Sequence, residues 1–404
     1  MAKKKDDANN GVLNRAYKYR IYPNREQREY FAKCFGCARF VYNQLLERCS
    51  KHYEETGKHK VDSYAELKKD NPWMREVDSN VLNYAKLQLK TAYDNFFKHN
   101  TGKPRFKSKK DNHQTFTTYR DKRCANVDIE NGNLKIPKLN SLIKMKMHRP
   151  LMDNCSIQTV TISKTPSGRY YASILVRYEN QVLPIIPAKF IGLDYAMAEL
   201  YVDSEGNGAH YPKYLHKMQK KLAREQRRLS RKLEANIKKR DTLGRPIFHR
   251  PLDECKNFQK QKHKIAVLHE KIANQRADFL HKKAYRLVSE YDVIAIEDIS
   301  VKDMAKRKKG RKFSFGKSVG DNGWGMFTAM LAYKLEWQGK QLVKVDKWYP
   351  SSKTCRFCGE VNTKLKLSDR KWTCPHCGAT IEQRDVNAAI NIKQYAIKNI
   401  QVTA

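Results

Sequence analysis

The sequence lacks any long apolar run. No stretch approaches the roughly 18 uninterrupted apolar residues that a membrane span needs, and no apolar segment follows the basic N-terminal stretch MAKKKDDANNG. We therefore expect neither a membrane-spanning helix nor a secretory signal. We therefore expect a soluble protein of the cytoplasm.

Acidic residues are scarce relative to basic ones. The 404-residue chain has 42 Asp and Glu against 81 Lys and Arg, a formal net charge of +39. This charge repels itself unless a polyanion neutralises it, and nucleic acid is the intracellular polyanion of suitable size. A solvated ribosomal-type surface would have the same charge, so composition indicates the partner but not the activity. At about 150 residues per domain, the length predicts two or three domains.

Cysteines are not spaced as in a disulfide framework. Of ten, six are scattered and four form two CxxC pairs near the C-terminus. This usage favours a reducing compartment, one metal site and no disulfides. Four thiolates at this spacing, each pair followed by glycine, predict a structural Zn²⁺ ribbon without an open catalytic position. The four ligands are Cys355, Cys358, Cys374 and Cys377.

A second cysteine group has a similar local spacing. Cys34 and Cys37 form one pair, and Cys49 and His52 form another. If this segment is helical, the two pairs lie about 22 Å apart at 1.5 Å per residue, too far to share an ion. We therefore do not expect a metal site there.

The N-terminal part alternates between strand and helix patterns. Tyr17, Tyr19 and Ile21 alternate with basic residues, which predicts a half-buried strand. Helical periodicity covers residues 25–58 and again 63–97, and hairpin turns are indicated at 131–132 and 165–168. We interpret residues 12–182 as an antiparallel β-barrel with a helical insert at about 25–100, after a basic flexible N-terminus, 1–11.

Residues 183–347 combine short apolar strands with two long basic helices. The helices are marked by apolar positions from Leu215 to Ile237 and from Ile265 to Leu287, and each has a basic side that could grip phosphates. A strand DVIAIED, a basic loop, a helix from about Met326 to Gly339 and another strand follow. The residues predicted to contact nucleic acid are Lys220, Lys221, Arg227 and Arg228.

Three acids lie where apolar elements begin or end. Asp194 and Glu297 each close an apolar strand, and Asp385 opens the small-residue helix DVNAAINI. A buried carboxylate is costly unless it faces a metal or a partner, and three could jointly bind two Mg²⁺ ions and hydrolyse a phosphodiester. Taken singly, each acid could instead start a turn, cap a helix or pair with Lys. We call Asp194, Glu297 and Asp385 the acidic triad.

Two other acids are alternatives to members of the acidic triad. Asp298 adjoins Glu297, and a strand points neighbouring side chains to opposite faces, so only one of them can face the other acids. Glu382 lies three residues before Asp385 and is expected at the exit of the ribbon.

The motifs together resemble the TnpB family of transposon-encoded RNA-guided DNA endonucleases, relatives of the type V CRISPR effectors. They are IGLDYAM, IAIEDI, DNGWG, SSKTCRFCG with WTCPHCG, and RDVNAAINI, together with YRIYPNREQ, ARFVYNQLL, AYDNFFK and KPRFKSKK, in the order of the family and over nearly the whole chain. Motif alignment favours Glu297 over Asp298.

The resemblance implies an α+β multidomain protein. Its parts would be a wedge β-barrel with a helical recognition insert (12–182), an RNase H-like RuvC nuclease domain (183–347 and 381–404) and an inserted zinc ribbon (348–380). It implies a guide RNA and a target DNA as partners, the triad as the catalytic Mg²⁺ ligands, and no required protein oligomer, in a prokaryotic cell near the nucleoid.

The resemblance also implies nucleic-acid contacts. Arg384 would touch the scissile phosphate, and four residues would read the short DNA motif beside the target: Tyr64, Asn80, Asn83 and Thr117. A guide–target heteroduplex would be gripped through its backbone by the basic helices. Aromatic residues among the charges could stack on bases or belong to the core: Tyr17, Tyr19, Phe106, Phe116 and Tyr119.

Three other functions are weaker. A nuclease-inactive RNA-guided repressor should lack a carboxylate or a complete third motif, and neither is missing. A DDE-type transposase normally has its acids in the order Asp, Asp, Glu, whereas here Glu is in the middle. A non-catalytic zinc-ribbon DNA-binding protein would leave the placement of the acids unexplained.

Overall fold

The computed structural model describes residues 12–98, 101–111, 114–120, 127–179, 181–306, 315–366 and 368–401. The predicted flexible N-terminus, 1–11, and part of the predicted basic loop, 307–314, lie outside these residues. The chain divides into two compact units, Met1–Gln181 and Val182–Ala404. Within the described ranges no helix is both long enough and apolar enough to cross a membrane.

The first unit combines helices with antiparallel strands. Strands β2, β6, β7, β1 and β5 form one sheet in this order, and β3 pairs with β4. The elements are β1 (Val12–Tyr22), α1 (Arg25–Thr56), α2 (Ala65–Asp70), a 3₁₀ helix (Pro72–Glu76), α3 (Ser79–Phe97), β2 (Gln114–Tyr119), β3 (Asp128–Glu130), β4 (Asn133–Lys135), β5 (Lys144–Lys146), β6 (Ser156–Lys164) and β7 (Tyr170–Glu179).

The core of this unit lies between the helices and the sheet. The rings of Phe31 and Phe35 on α1 pack against Phe116 on β2, with centroids 5.7 and 5.4 Å apart. Helix α1 begins with a capping box, in which the side chains of Asn24 and Gln27 each accept a hydrogen bond from the backbone N–H of the other residue. Cys34, Cys37 and Cys49 are buried along the same helix.

The prediction of a closed barrel is wrong for the described residues. The edge strands β2 and β5 are not paired with each other, so the sheet is open. Closure requires strands long enough to continue the hydrogen bonding around the ring, and β5 has only three residues. The β-turn at Asn131 and Gly132 is present, with both residues at positive φ as a two-residue hairpin of this type requires.

The helical stretch predicted over 63–97 is divided into three helices. The segment contains α2, the 3₁₀ helix and α3 in succession. Pro72 disfavours the helical conformation at Asn71, which has φ −127° and ψ 80°. Asp78 then caps α3, because its side chain accepts a hydrogen bond from the backbone N–H of Asn80 at 3.2 Å.

The second unit is built on a four-stranded sheet of order β13-β12-β8-β9. Strand β12 is parallel to both β13 and β8, and β9 is antiparallel to β8. The elements are β8 (Phe190–Ala196), β9 (Leu200–Asp203), α4 (Tyr214–Glu234), β10 (Ile237–Arg240), β11 (Pro246–Phe248), α5 (Lys256–Glu290), β12 (Val293–Glu297), α6 (Val301–Ala305), α7 (Gly316–Asn322), α8 (Trp324–Glu336), β13 (Gln341–Val345), β14 (Trp372–Thr373), β15 (Thr380–Ile381) and α9 (Arg384–Gln401).

The two faces of this sheet carry different cores. Ile294 and Ile296 join the cluster that contains residues of α5 and α8. Val293 and Ala295 join the cluster that contains Ile392 and Ala396 of α9. Because side chains alternate along a strand, Glu297 is on the same face as Val293 and Ala295 and therefore on the α9 side.

Two predictions about the second unit need correction. Ile237, taken as the end of the first basic helix, instead begins the hairpin β10–β11, and α4 ends at Glu234. The predicted basic loop after β12 contains two short helices, α6 and α7, on either side of the part that is not described.

Candidate active site and zinc centre

The acidic triad meets at one edge of the sheet of the second unit. Asp194 lies near the end of β8, Glu297 is the last residue of β12, and these parallel strands end at the same edge. Asp385 lies in the first turn of α9, which packs on β8. Three segments far apart in sequence therefore bring their carboxylates into one neighbourhood.

Gly192 lets α9 approach the sheet closely. A Cβ atom at this position would lie 2.0 Å from the carbonyl oxygen of Ala389 and 2.6 Å from the backbone nitrogen of Lys393. Ala388 and Ala389 are fully buried at this contact. The small residues of DVNAAINI and the glycine of IGLDYAM thus set the distance between the elements that carry Asp385 and Asp194.

The Asp194 carboxyl has a strongly perturbed pKa. Burial raises its pKa well above the ordinary value, and the nearby carboxylates of Glu297 and Asp385 raise it further. The Arg384 guanidinium and a backbone hydrogen bond at Tyr195 oppose this shift. The arrangement disfavours three negative charges together unless a cation is shared among them.

Glu297, its neighbour Asp298 and Glu382, the rival of Asp385, have different partners. The Ser351 hydroxyl donates a hydrogen bond to Oε1 of Glu297 at 2.5 Å. Asp298 instead pairs with Lys344 at 3.0 Å and is exposed, and Glu382 pairs with Lys371 at 2.7 Å. Glu297 is one of the main charges that raise the pKa of Asp194.

Two arginines lie at Asp385. Arg370 donates to both carboxylate oxygens at 3.2 and 3.3 Å, and its side chain is 68% exposed. Arg384 lies 3.7 Å from Oδ1 of Asp385, and its nearly buried guanidinium also donates to the carbonyl oxygens of Lys366 and Asp369. Arg384 thus links α9 to the ribbon as well as facing the triad.

The four predicted zinc ligands form a tight cluster. Their sulfur atoms all lie within 4.8 Å of one another, with 3.7 Å between Cys355 and Cys377 and 3.6 Å between Cys358 and Cys374. A tetrahedral Zn²⁺ with Zn–S bonds of about 2.3 Å separates its sulfurs by about 3.8 Å. The residues therefore fit a structural zinc ion.

The two cysteine knuckles have the same backbone geometry. Gly359 and Gly378 are at positive φ and donate to the carbonyl oxygens of Cys355 and Cys374 at 2.9 and 3.0 Å. Backbone hydrogen bonds from Cys377 and His376 lower the pKa of Cys374 to about 6, although burial opposes them. Such hydrogen bonds favour the thiolate, which is the form that binds zinc.

Two asparagines of α9 join the ribbon to the helix. Asn387 donates to the carbonyl oxygen of Thr354 at 2.8 Å and accepts from the backbone N–H of Arg356 at 3.1 Å. Asn391 donates to the carbonyl oxygens of Ser351 and Thr354 at 2.8 and 2.7 Å. Both side chains are essentially inaccessible to solvent, so the helix that carries Asp385 is fixed to the segment that leads into the first zinc ligand.

The predicted basic face of the first long helix is exposed. Lys220, Lys221, Arg227 and Arg228 lie on the solvent side of α4, and Arg228 also pairs with Glu225 at 3.2 Å. Glu225 is buried against α5, where its Oε2 accepts from Gln261 at 2.8 Å. The helix pair is therefore held by packed and hydrogen-bonded groups, and its basic side chains project outward.

The four residues predicted to read DNA lie near Tyr119 in the first unit. Asn80 donates to the carbonyl oxygen of Tyr119 at 3.0 Å, and Asn83 donates to its hydroxyl at 2.7 Å. Burial raises the pKa of Tyr64, and the nearby Tyr119 adds to this shift. Thr117 shares a hydrogen bond with Thr161 at 2.8 Å. Asn80 and Thr117 are buried, whereas Tyr64 and Asn83 are half-buried.

The aromatic residues proposed for stacking divide into two groups. Tyr17, Tyr19 and Phe116 are buried core residues, which excludes base stacking without rearrangement of the core. Phe106 is 62% exposed and Tyr119 is half-buried. Of the five, Phe106 and Tyr119 are therefore the rings accessible in this structure.

The donor chemistry of the triad fits Mg²⁺, which prefers carboxylate oxygens. Asp194, Glu297 and Asp385 would be the residues that supply these oxygens.

Sequence reasoning missed Ser351 and Arg370. Ser351 lies 54 residues from Glu297, and Arg370 lies 15 residues from Asp385. The motif SSKTCRFCG contains Ser351, but nothing in its spacing indicates which hydroxyl faces an acid.

Three family models match the chain. A "Cas12f1-like, TNB domain" matches residues 324–392, a "Probable transposase" domain matches 173–308, and a "Helix-turn-helix domain" matches 13–58. In this structure, residues 13–58 contain β1 and the single helix α1 instead of two helices joined by a turn.

Two relatives match nearly the whole chain. The "Putative RNA-guided DNA endonuclease" of Streptomyces pristinaespiralis is 34% identical over 94% of this chain and 89% of its own length. The "Putative RNA-guided DNA endonuclease InsQ" of Escherichia coli K12 is 32% identical over 93% of this chain and 91% of its own length. The chain belongs to the TnpB family of RNA-guided DNA endonucleases.

A solved structure has a similar fold. The protein chain in the cryo-EM structure of a Cas12f1–sgRNA–target DNA complex superposes with a TM-score of 0.54 at 13% identity, covering 95% of this chain and 99% of that chain. The likeness establishes a mixed α/β fold of the Cas12f type.

Proposed function

We propose that this protein is an RNA-guided DNA endonuclease. It binds a transposon-derived guide RNA, recognises a short DNA motif beside the target and cleaves DNA by metal-dependent phosphodiester hydrolysis. The observation that carries the proposal is the meeting of the acidic triad at one sheet edge, where Glu297 and Asp385 come close enough to raise the pKa of Asp194. Family membership supports the RNA guide and the DNA substrate.

In this proposal Asp194, Glu297 and Asp385 are the metal ligands of a RuvC-type nuclease centre. The site would hold Mg²⁺, as two ions, which when bound activates water and stabilises charge at the leaving oxygen. Asp194 contributes a buried carboxylate that needs a cation, and Glu297 accepts a hydrogen bond from Ser351. Arg370 and Arg384 place positive charge beside Asp385, where a DNA phosphate would enter.

The remaining parts would bind the nucleic acids. Residues 12–182 correspond to the wedge and recognition region, in which Tyr64, Asn80, Asn83 and Thr117 would contribute to reading the target-adjacent motif. Residues 183–347 and 381–404 form the nuclease region, and 348–380 form the structural zinc ribbon. The exposed basic face of α4 would grip the guide–target heteroduplex through its backbone. The protein would act without oligomerisation in the prokaryotic cytoplasm, near the nucleoid.

The rival functions receive less support. A repressor that has lost cleavage should have lost a triad member, whereas all three acids are present and clustered at one sheet edge. A DDE-type transposase is disfavoured by the middle position of Glu297 and by the ribbon between the second and third acids.

Reprogramming the guide tests this proposal. The protein is purified from cells with its RNA, the RNA is sequenced, and the segment that pairs with DNA is replaced by a new sequence. We expect Mg²⁺-dependent cleavage to move to DNA that matches the new segment. Cleavage that ignores the change of guide, or a preparation without any discrete RNA, would contradict the proposal.

A further inference from the structure

We infer that Ser351 is a positioning residue for the Glu297 carboxylate. The inference rests on the proposed function of Glu297 as a metal ligand and assigns a role to a residue outside the triad. Ser351 is 2% exposed, and its hydroxyl lies 2.5 Å from Oε1 of Glu297. This is the short distance expected when a hydroxyl donates to an ionised carboxylate.

The hydrogen bond leaves one oxygen of Glu297 available. Ser351 occupies Oε1, so Oε2 can face the cation. A glutamate at the end of a strand otherwise samples several side-chain rotamers, and ordering it costs entropy when the metal binds. A hydrogen bond from a neighbouring residue that orients a metal ligand typically contributes about 10–100-fold to metal affinity or activity.

The position of Ser351 is itself determined by α9. Asn391 donates to the carbonyl oxygen of Ser351 at 2.8 Å, and the backbone N–H of Ser351 donates to the carbonyl oxygen of Tyr349 at 2.8 Å. The same helix carries Asp385 in its first turn. Helix α9 thus carries Asp385 and also positions Glu297, through Asn391 and Ser351. The same helix therefore sets the positions of both acids.

Replacing Ser351 by Ala tests the inference. The zinc-loaded, RNA-free full chain is titrated with Mn²⁺, and free Mn²⁺ is counted by electron paramagnetic resonance. The Mn²⁺ binding that is lost in Glu297→Gln is taken as the binding at the triad. We expect Ser351→Ala to weaken this binding about tenfold. Ser352→Ala is the matched control, because the hydroxyl of Ser352 makes no hydrogen bond among the described residues, and we expect it to bind as the unmodified protein does.

A second readout separates positioning from loss of fold. In the RNA-bound protein, Ser351→Ala should need about tenfold more Mg²⁺ for half-maximal cleavage and should regain rate at high Mg²⁺. Glu297→Gln should not regain it. Zinc content and target binding should match those of Ser352→Ala.

Three results would overturn the inference: unchanged Mn²⁺ binding by Ser351→Ala, the same loss in Ser352→Ala, or a loss accompanied by reduced zinc content. If the unmodified protein and Glu297→Gln bind Mn²⁺ equally, the proposed metal site itself fails, which is a distinguishable result.

Discussion

The ionised form of the Asp194 side chain is unfavourable when no cation is bound. Its pKa is raised by burial and then by two neighbouring carboxylates. The folded protein therefore holds this proton to higher pH than the unfolded chain does. The free energy of unfolding of the metal-free protein should fall as pH rises above 3.8, the ordinary pKa, and through the raised value.

Asp194→Asn should therefore stabilise the metal-free protein. At pH 7.5 we expect its Tm to rise by about 2–4 °C, which corresponds to about 1 kcal/mol in a unit of this size. The gain should shrink towards pH 4, and Mg²⁺ should no longer stabilise the variant. Thermal denaturation monitored by circular dichroism measures both effects. Asp298→Asn, at an exposed pair with Lys344, is the control; an unchanged or lower Tm for Asp194→Asn at pH 7.5 would contradict the account.

The positions of the acids could be predicted because local patterns locate them. Asp194 and Glu297 follow apolar runs, and parallel strands end at the same edge of a sheet. The partners of the acids could not be predicted in this way. Ser351 and Arg370 reach the triad through the fold of the ribbon, and a sequence does not display contacts that depend on how distant segments pack.

At the scale of elements, the contact between β8 and α9 sets the spacing of the site. Gly192→Ala would place a methyl group 2.0 Å from the carbonyl oxygen of Ala389, so α9 must shift. We expect a loss of about 1–3 kcal/mol in stability, as for overpacked cores, and reduced cleavage because Asp385 moves relative to Asp194.

Denaturant unfolding and cleavage rates measure these changes in the same preparation. Gly320→Ala is the control, since a Cβ there meets nothing within 4 Å. Equal stability and activity of the two variants would show that the close approach does not set the site.

The ribbon should also depend on its zinc. Cys374→Ser should lower the zinc content and, because Asn387 and Asn391 fix the ribbon to α9, lower cleavage in parallel. Cys255→Ser, at a half-buried cysteine remote in sequence from the cluster, should change neither. Zinc analysis and cleavage assays of the same samples test this expectation. Full cleavage by a zinc-free ribbon would refute the coupling.

Elements with a clear local hydrophobic periodicity were predicted from the sequence. Elements in which pairing between segments overrides that periodicity were not. The alternation at Tyr17, Tyr19 and Ile21 gave β1, and the pattern from Ile265 to Leu287 lies within α5. Ile237 continued the helical spacing, but tertiary pairing with Phe248 made it part of a hairpin. The open sheet of the first unit depends on strand lengths, which periodicity does not give.

At the scale of the whole molecule, the net charge of +39 predicts binding that depends steeply on salt. Replacing Lys220, Lys221, Arg227 and Arg228 with Ala should weaken guide RNA binding. It should also flatten the plot of log affinity against log salt by about 0.7–0.9 for each phosphate that is no longer neutralised. Binding measured at several salt concentrations tests this. An unchanged slope would mean that this face of α4 is only solvated.

Cleavage by triad variants that still bind nucleic acid shows whether these three acids form the nuclease centre. Each of Asp194, Glu297 and Asp385 is replaced by Ala in the RNA-bound protein, with Asp298→Ala as the matched control. Target binding and cleavage in Mg²⁺ are then measured in the same samples. We expect the three triad variants to bind guide and target without cutting, and Asp298→Ala to cut normally. Substantial cutting by Asp194→Ala, or an inactive Asp298→Ala beside an active Glu297→Ala, would contradict it.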